Sequence, residues 1–185
     1  MLLDLSAAFD TIDHSILLCR LEERLGLGGV ALDWIRSYLS DRTQSVYVNG
    51  VSSKSSNLLF GVPQGSVLGP KLFCIYSGPL SNIAHLHGLE VHLYADDTQL
   101  YIFFSIKSGL SEPIQKVEAC IKDISTWMRK NKLKLNDDKT EYMVISSDRV
   151  KAGLSIPDLM AGAVKVSPSH SFRNFGAMVD DTTNV

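Results

Sequence analysis

Leu93-Tyr94-Ala95-Asp96-Asp97-Thr98-Gln99 sets two adjacent carboxylates between two apolar, strand-like runs. Val91-His92-Leu93-Tyr94 lies upstream and Leu100-Tyr101-Ile102-Phe103-Phe104 downstream. The pattern predicts a β-hairpin with Asp96-Asp97 at or near its tip. In a plain strand the two side chains would point to opposite faces, whereas a turn can bring both toward one place. Two readings stand at this point. Aspartate is a favoured turn residue. Equally, two like charges held together are costly unless a partner neutralises them, and a divalent cation is the usual solution.

A third carboxylate extends the second reading. Met1 to Leu5 reads as a buried strand ending at Asp4, followed by Leu5-Ser6-Ala7-Ala8-Phe9-Asp10. Alone, Asp4 reads as well as a strand-end charge. Beside the Asp96-Asp97 hairpin it would complete a cluster able to hold two Mg²⁺ ions ~3.5–4 Å apart, the arrangement that serves in-line phosphoryl displacement.

Around these segments the chain interleaves helices with strands. Asp13 is a good N-cap for a helix through about Leu25, with Ile16, Leu17, Leu21 and Leu25 as its apolar stripe. A second helix is expected over about Ala31 to Leu39, with Trp34, Ile35 and Leu39 inward. Val46 and Val48 alternate in a strand, Gly50 turns the chain, and Leu58-Leu59-Phe60 returns. Pro70 suits the first turn of a helix carrying Leu72, Phe73, Ile75 and Tyr76, which Gly78-Pro79 should stop or kink. Ser111, Glu112 and Pro113 open a long amphipathic helix with Ile114, Val117, Ile121, Ile124 and Met128 on one face. A loop at 136–139, a strand over Thr140–Ser146, a weakly patterned stretch to Pro168 and a last strand over Phe172–Val179 complete the chain. Strands that pair as hairpins among helices give an α+β class with an antiparallel or mixed sheet.

At 185 residues, 45% hydrophobic and 21% charged, the chain can bury one real core. A net charge of −2 excludes a basic nucleic-acid coat, so any nucleic-acid contact must be local. Cys19, Cys74 and Cys120 are far apart and sit in apolar runs, which reads as reduced core thiols rather than a disulfide or zinc frame. The five histidines show no ligand spacing. Arg129, Lys130, Lys132 and Lys134 form a basic cluster that suits a helix C-terminus or a phosphate backbone. No apolar run reaches the length of a membrane span, so no membrane association is expected. The abrupt start at Met1-Leu2-Leu3-Asp4 and the equally abrupt end read as a slice of a longer protein.

Three segments in this order and spacing resemble reverse transcriptases, and among them the non-LTR (LINE-type) retrotransposon enzymes: Asp4-Leu5-Ser6-Ala7-Ala8-Phe9-Asp10, Gly61-Val62-Pro63-Gln64-Gly65-Ser66, and Tyr94-Ala95-Asp96-Asp97. Phe9-Asp10-Thr11-Ile12-Asp13-His14 and Pro63 through Pro70 are similar to that group in particular. The resemblance implies an intracellular polymerase palm with fingers and thumb largely missing. Residues 1–148 would form the palm and 149–185 its end, with Phe172–Val179 similar to a primer grip.

It further implies RNA-directed DNA synthesis with an RNA template, a DNA primer and dNTPs, two Mg²⁺ ions (Mn²⁺ as a substitute), and the rest of a retrotransposon polyprotein as partner. Asp4, Asp96 and Asp97 would be the acidic residues at the metals, with the Leu5 carbonyl completing a coordination shell. Phe9 would lie under the sugar and select deoxynucleotides, or be a core aromatic. Gln64 and Gly65 would line the nucleotide, and Tyr94 and Ala95 the primer terminus. Leu135-Asn136-Asp137-Asp138-Lys139 resembles the next family motif, in which Lys139 would be the general acid for pyrophosphate, or a solvated lysine. Lacking fingers and thumb, the chain is expected not to be competent alone. The alternatives are a non-enzymatic relic or a palm that only binds nucleic acid or a partner. An RNA-dependent RNA polymerase palm fits less well, given Phe9 and the Tyr-Ala pair before Asp96.

Overall fold

The computed structural model describes residues 1–136, 139–147, 154–162, 164–174 and 177–181. Asp137, Asp138, Phe175, Gly176 and the expected boundary at 148/149 lie outside the described residues.

A short strand β1 (Leu2–Leu3) leads through a tight turn into α1 (His14–Leu25). The Asp13 carboxylate starts this helix by accepting from the Ser15 and Ile16 N–H groups at 2.9 and 3.1 Å. Gly26 ends it at φ +64°, its N–H reaching the Glu22 and Leu21 carbonyls. Leu17 and Leu21 are buried, but Leu25 is exposed, one turn too far along to reach the core. Helix α2 (Gly29–Leu39) buries Leu32 and Leu39. Trp34 was expected inward and is instead 59% exposed. It lies two residues from Leu32, on the other side of the helix, and stacks on Tyr38 at 5.9 Å between ring centroids.

Four two-residue strands follow as an arm: β2 (Thr43–Gln44) pairs with β5 (Ser56–Asn57), and β3 (Tyr47–Val48) with β4 (Val51–Ser52). Asn49 and Gly50 turn the arm with φ of +48° and +83°, both positive as the favoured hairpin turn requires. The returning strand is Ser56–Asn57 rather than Leu58-Leu59-Phe60. Leu58 still donates to the Arg42 carbonyl, but the chain then turns toward Gly61, whose N–H is fixed to the Ile12 carbonyl.

Helix α3 (Gly69–Ser77) has Pro70 in its first turn and buries Leu72, Phe73 and Tyr76. Gly78-Pro79 ends it, and a short α4 (Leu80–Leu86), not foreseen, carries the chain to the hairpin. That hairpin is β6 (Glu90–Tyr94) and β7 (Asp97–Tyr101). Helix α5 (Ser111–Lys130) buries Ile121, Ile124 and Met128 as its pattern predicts, and Cys120 with them, while Ile114 and Val117 of the same face are half-buried. Two further hairpins close the described chain, β8 (Leu159–Ala161) with β9 (Val164–Val166) and β10 (Ser171–Asn174) with β11 (Ala177–Asp180). The single strand expected over Phe172–Val179 is therefore a hairpin.

The central sheet is antiparallel, in the order β1-β7-β6. On its free side β1 meets a broken edge: Leu2 exchanges backbone hydrogen bonds with Glu141 at 2.7 and 3.1 Å, and Leu5 bridges Leu135. Among the described residues this edge pairs only at single positions, including Leu135, Glu141 and Tyr142, so the strand expected at Thr140–Ser146 is reduced to isolated bridges. Leu3, Leu5 and Leu100 face a core shared with Leu17, Phe73, Tyr76, Leu80 and Ile124. A second cluster gathers Ile121, Tyr142, Leu159 and Val166. Of the thiols, only Cys120 is a core residue. Cys19 and Cys74 are free and exposed, because each falls on the solvent side of its helix. Among the described residues no helix is long and apolar enough to cross a membrane.

Candidate active site

Register builds the site. β1 pairs with β7 as Leu2 with Gln99 and Leu3 with Thr98, so one further step sets Asp4 across from Asp97. Leu3 and Thr98 are buried on the core face. Side chains alternate along a strand, so Asp4 and Asp97 share the opposite, solvent-facing side. Tyr94 pairs with Asp97 to close the hairpin, which leaves Ala95 and Asp96 as the two loop residues. Ala95 adopts φ +51°, a left-handed conformation that costs a non-glycine residue on the order of 1 kcal/mol. Tyr94 is 63% exposed beside it.

The electrostatics agree with this geometry. The Asp97 carboxyl is raised above its usual range, first by partial burial and then by the Asp96 and Asp4 carboxylates, with Lys139 opposing. Asp97 still reaches solvent, which screens the effect. Lys139 Nζ stands 3.4 Å from Asp4 Oδ2, and the Asn136 side-chain amide donates to the same oxygen at 3.0 Å. Leu5 is buried, its side chain in the core. Its bridge to Leu135 is flanked by Asn136 N–H to the Asp4 carbonyl and Ser6 N–H to the Lys134 carbonyl, each 2.9 Å. In that pattern the Leu5 carbonyl points away from 134–136.

The second motif is pinned to the segment after Asp4. Gly61 N–H donates to the Ile12 carbonyl and Val62 N–H to the Phe9 carbonyl, both at 2.8 Å. A Cβ on Gly61 would stand 2.8 Å from the Phe9 oxygen and 2.9 Å from Asp10 Cα. The Gly61 carbonyl meets His14 Nε2 at 2.8 Å and accepts from Arg42 Nη1 at 2.7 Å. Phe9 is half-buried, its ring tilted against Phe73 at 5.2 Å. Gln64 is exposed, and its amide donates to Asp10 Oδ2 at 3.4 Å. Gly65 has φ +74° with open space where a Cβ would sit. Between Gly61 and Gly65 the steric demand for glycine is thus at Gly61, to which sequence reasoning gave no role, as it gave none to Asp10, His14 and Asn136.

The structure therefore brings Asp4, Asp96 and Lys139 within electrostatic reach of Asp97, and Lys139 into an ion pair with Asp4. Phe9 instead packs on Phe73 and Gln64 reaches Asp10, on the segment that follows Asp4. Among the described residues, no three His, Cys, Asp or Glu side chains stand close enough to cage a metal ion unaided. The donor set nonetheless suits a hard divalent cation. Mg²⁺ is commonly held by one or two carboxylates, with substrate phosphates and water filling the rest of its shell. Burial and, after it, repulsion from Asp96 and Asp4 disfavour the Asp97 charge, and a bound cation would offset both.

A family model described as "Reverse transcriptase (RNA-dependent DNA polymerase)" matches residues 1–178. The chain is 26% identical, over 97% of its length and 19% of the relative's, to a Drosophila melanogaster protein named "Probable RNA-directed DNA polymerase from transposon X-element". It is 26% identical, over 96% of its length and 19% of the relative's, to an "RNA-directed DNA polymerase from mobile element jockey" of Drosophila funebris. The jockey polymerase of Drosophila melanogaster is 33% identical over 60% of the chain and 13% of that relative. The chain spans about a fifth of the length of the first two curated relatives.

Proposed function

Because the chain belongs to the reverse transcriptase (RNA-dependent DNA polymerase) family, we propose that it forms the catalytic palm of an RNA-directed DNA polymerase of the non-LTR retrotransposon type. In this reading residues 1–148 are the palm and 149–185 its end toward the primer. The observation that carries the proposal is the Leu3–Thr98 pair, which Asp4 directly follows and Asp97 directly precedes, with Asp96 in the adjoining turn.

Reverse transcriptases as a family use divalent metals. Asp4, Asp96, Asp97 and the Leu5 carbonyl are the groups that would hold two Mg²⁺ ions, or Mn²⁺ in their place. When bound, the ions would activate the primer hydroxyl and neutralise charge on the triphosphate. The primer 3′-oxygen bonds to the α-phosphorus of the dNTP, the bond to the bridging oxygen breaks, and pyrophosphate leaves. Lys139 would give that leaving group a proton once it parts from Asp4. Phe9, held by Phe73, lies under the sugar and excludes a 2′-hydroxyl. Gln64 exchanges its hydrogen bond to Asp10 for the nucleotide, and Gly65 lets the backbone approach it. Tyr94 and Ala95 face the primer terminus.

RNA template, DNA primer and the remainder of a longer polypeptide complete the grip, so this chain alone does not extend primers robustly. Isothermal titration with Mg²⁺ and an RNA–DNA primer–template, comparing wild type with Asp96→Asn, tests the reading. Metal-dependent binding lost in the variant is expected. Binding unchanged by Asp96→Asn contradicts the polymerase site and leaves a module that only binds nucleic acid. Robust extension by this chain alone contradicts its dependence on further segments.

A further inference from the structure

We propose that Asn136 is the positioning residue of this site, fixing the Asp4 carboxylate and setting the place of Lys139. The inference rests on Asp4 being a metal-binding carboxylate. Four bonds converge on Asn136. Its side-chain amide donates to Asp4 Oδ2 at 3.0 Å, across 132 residues of sequence. Its backbone N–H donates to the Asp4 carbonyl at 2.9 Å. Its own carbonyl accepts from Lys139 N–H at 3.1 Å and from the buried Thr140 hydroxyl at 3.2 Å. One residue therefore holds Asp4 at both main chain and side chain, and its carbonyl ties down the Lys139 backbone.

The chemistry explains why an amide serves here. Asp4 shares its face with Asp97, and like charges drive a free carboxylate away. An ionised carboxylate only accepts, so the amide must present its NH₂ to it. Being neutral, that donor holds Oδ2 without competing with a cation and leaves Oδ1 to turn toward the metal. Lys139 shares Oδ2 at 3.4 Å and is 68% exposed, so it is the partner free to leave. The two partners of one oxygen thus have opposite effects: Asn136 preorganises Asp4 for a cation, and Lys139 competes with it.

Mn²⁺ binding followed by electron paramagnetic resonance separates them. Asn136→Ala is expected to weaken Mn²⁺ binding about tenfold or more, the usual consequence of losing a partner that orients a ligand. Lys139→Ala leaves binding equal or tighter. In the wild-type chain the Asn136 side-chain amide resonances shift on addition of Mg²⁺ and in Asp4→Asn, which tests the contact even if Asn136→Ala fails to fold. Unchanged binding in a folded Asn136→Ala, equal weakening in both variants, or silent amide resonances overturn the inference. Wild-type Mn²⁺ binding that is insensitive to Asp4→Asn instead overturns the reading on which it rests.

Discussion

Asp4 stands across the sheet from Asp97, one residue beyond the Leu3–Thr98 pair and on the face opposite it. The two carboxylates are 93 residues apart in sequence, and each directly adjoins the Leu3–Thr98 pair, so strand alternation directs both away from the core face that Leu3 and Thr98 occupy. Asp97 consequently titrates above its usual range through partial burial and the nearby Asp96 and Asp4 charges. Its folded-state charge is disfavoured relative to the unfolded chain, so it destabilises the fold once pH rises above the unfolded carboxylate value near ~3.9 and through the folded one.

Asp97→Asn should therefore stabilise the metal-free chain at neutral pH, by on the order of 0.5 kcal/mol for a solvent-screened site. The gain disappears as pH falls below the unfolded value, where both states are protonated. Mg²⁺ should stabilise the wild type more than the variant. Urea unfolding at pH 7 and pH 3.5, with and without Mg²⁺, measures all three.

Gly61→Ala should be much more damaging than Gly65→Ala. Both positions have positive φ, +80° and +74°, but only at Gly61 does a Cβ run into backbone, at Phe9 and Asp10. Combined left-handed strain and overlap predict a loss on the order of 3 kcal/mol at Gly61, against about 1 kcal/mol at Gly65. Denaturant midpoints of the two variants decide it.

These contrasts show what was legible in the sequence and what was not. The Asp96-Asp97 hairpin, the Asp13 cap and the buried face of α5 follow from alternation, capping chemistry and helical period, all local signals. Trp34 and Leu25 were misplaced because an apolar residue near a helical stripe need not lie on it. Gly61 and Asn136 were passed over because their roles come from pairings with residues 9–12 and with Asp4, which no local pattern encodes. Gly65 drew attention through its motif, while the crowded glycine stood four residues earlier.

Asp13→Ala removes the acceptor for the Ser15 and Ile16 N–H groups and should cost about 1 kcal/mol. The loss should appear in thermal melts and leave Mn²⁺ binding unchanged, since α1 carries none of the carboxylates.

Cys120 should resist alkylation in the folded chain, while Cys19 and Cys74 react. Burial pushes the Cys120 thiol up to about 11 and closes off access, whereas the other two are exposed. Mass spectrometry after iodoacetamide at pH 8, before and after urea, reads the order of modification.

Anomalous diffraction from crystals grown with Mn²⁺ and a dNTP tests the central claim most directly. The account predicts manganese peaks at the Asp4 carboxylate and the Asp96-Asp97 turn, with Lys139 withdrawn from Asp4. An Asp4–Lys139 pair left intact, with no manganese between Asp4 and the Asp96-Asp97 turn, would contradict it.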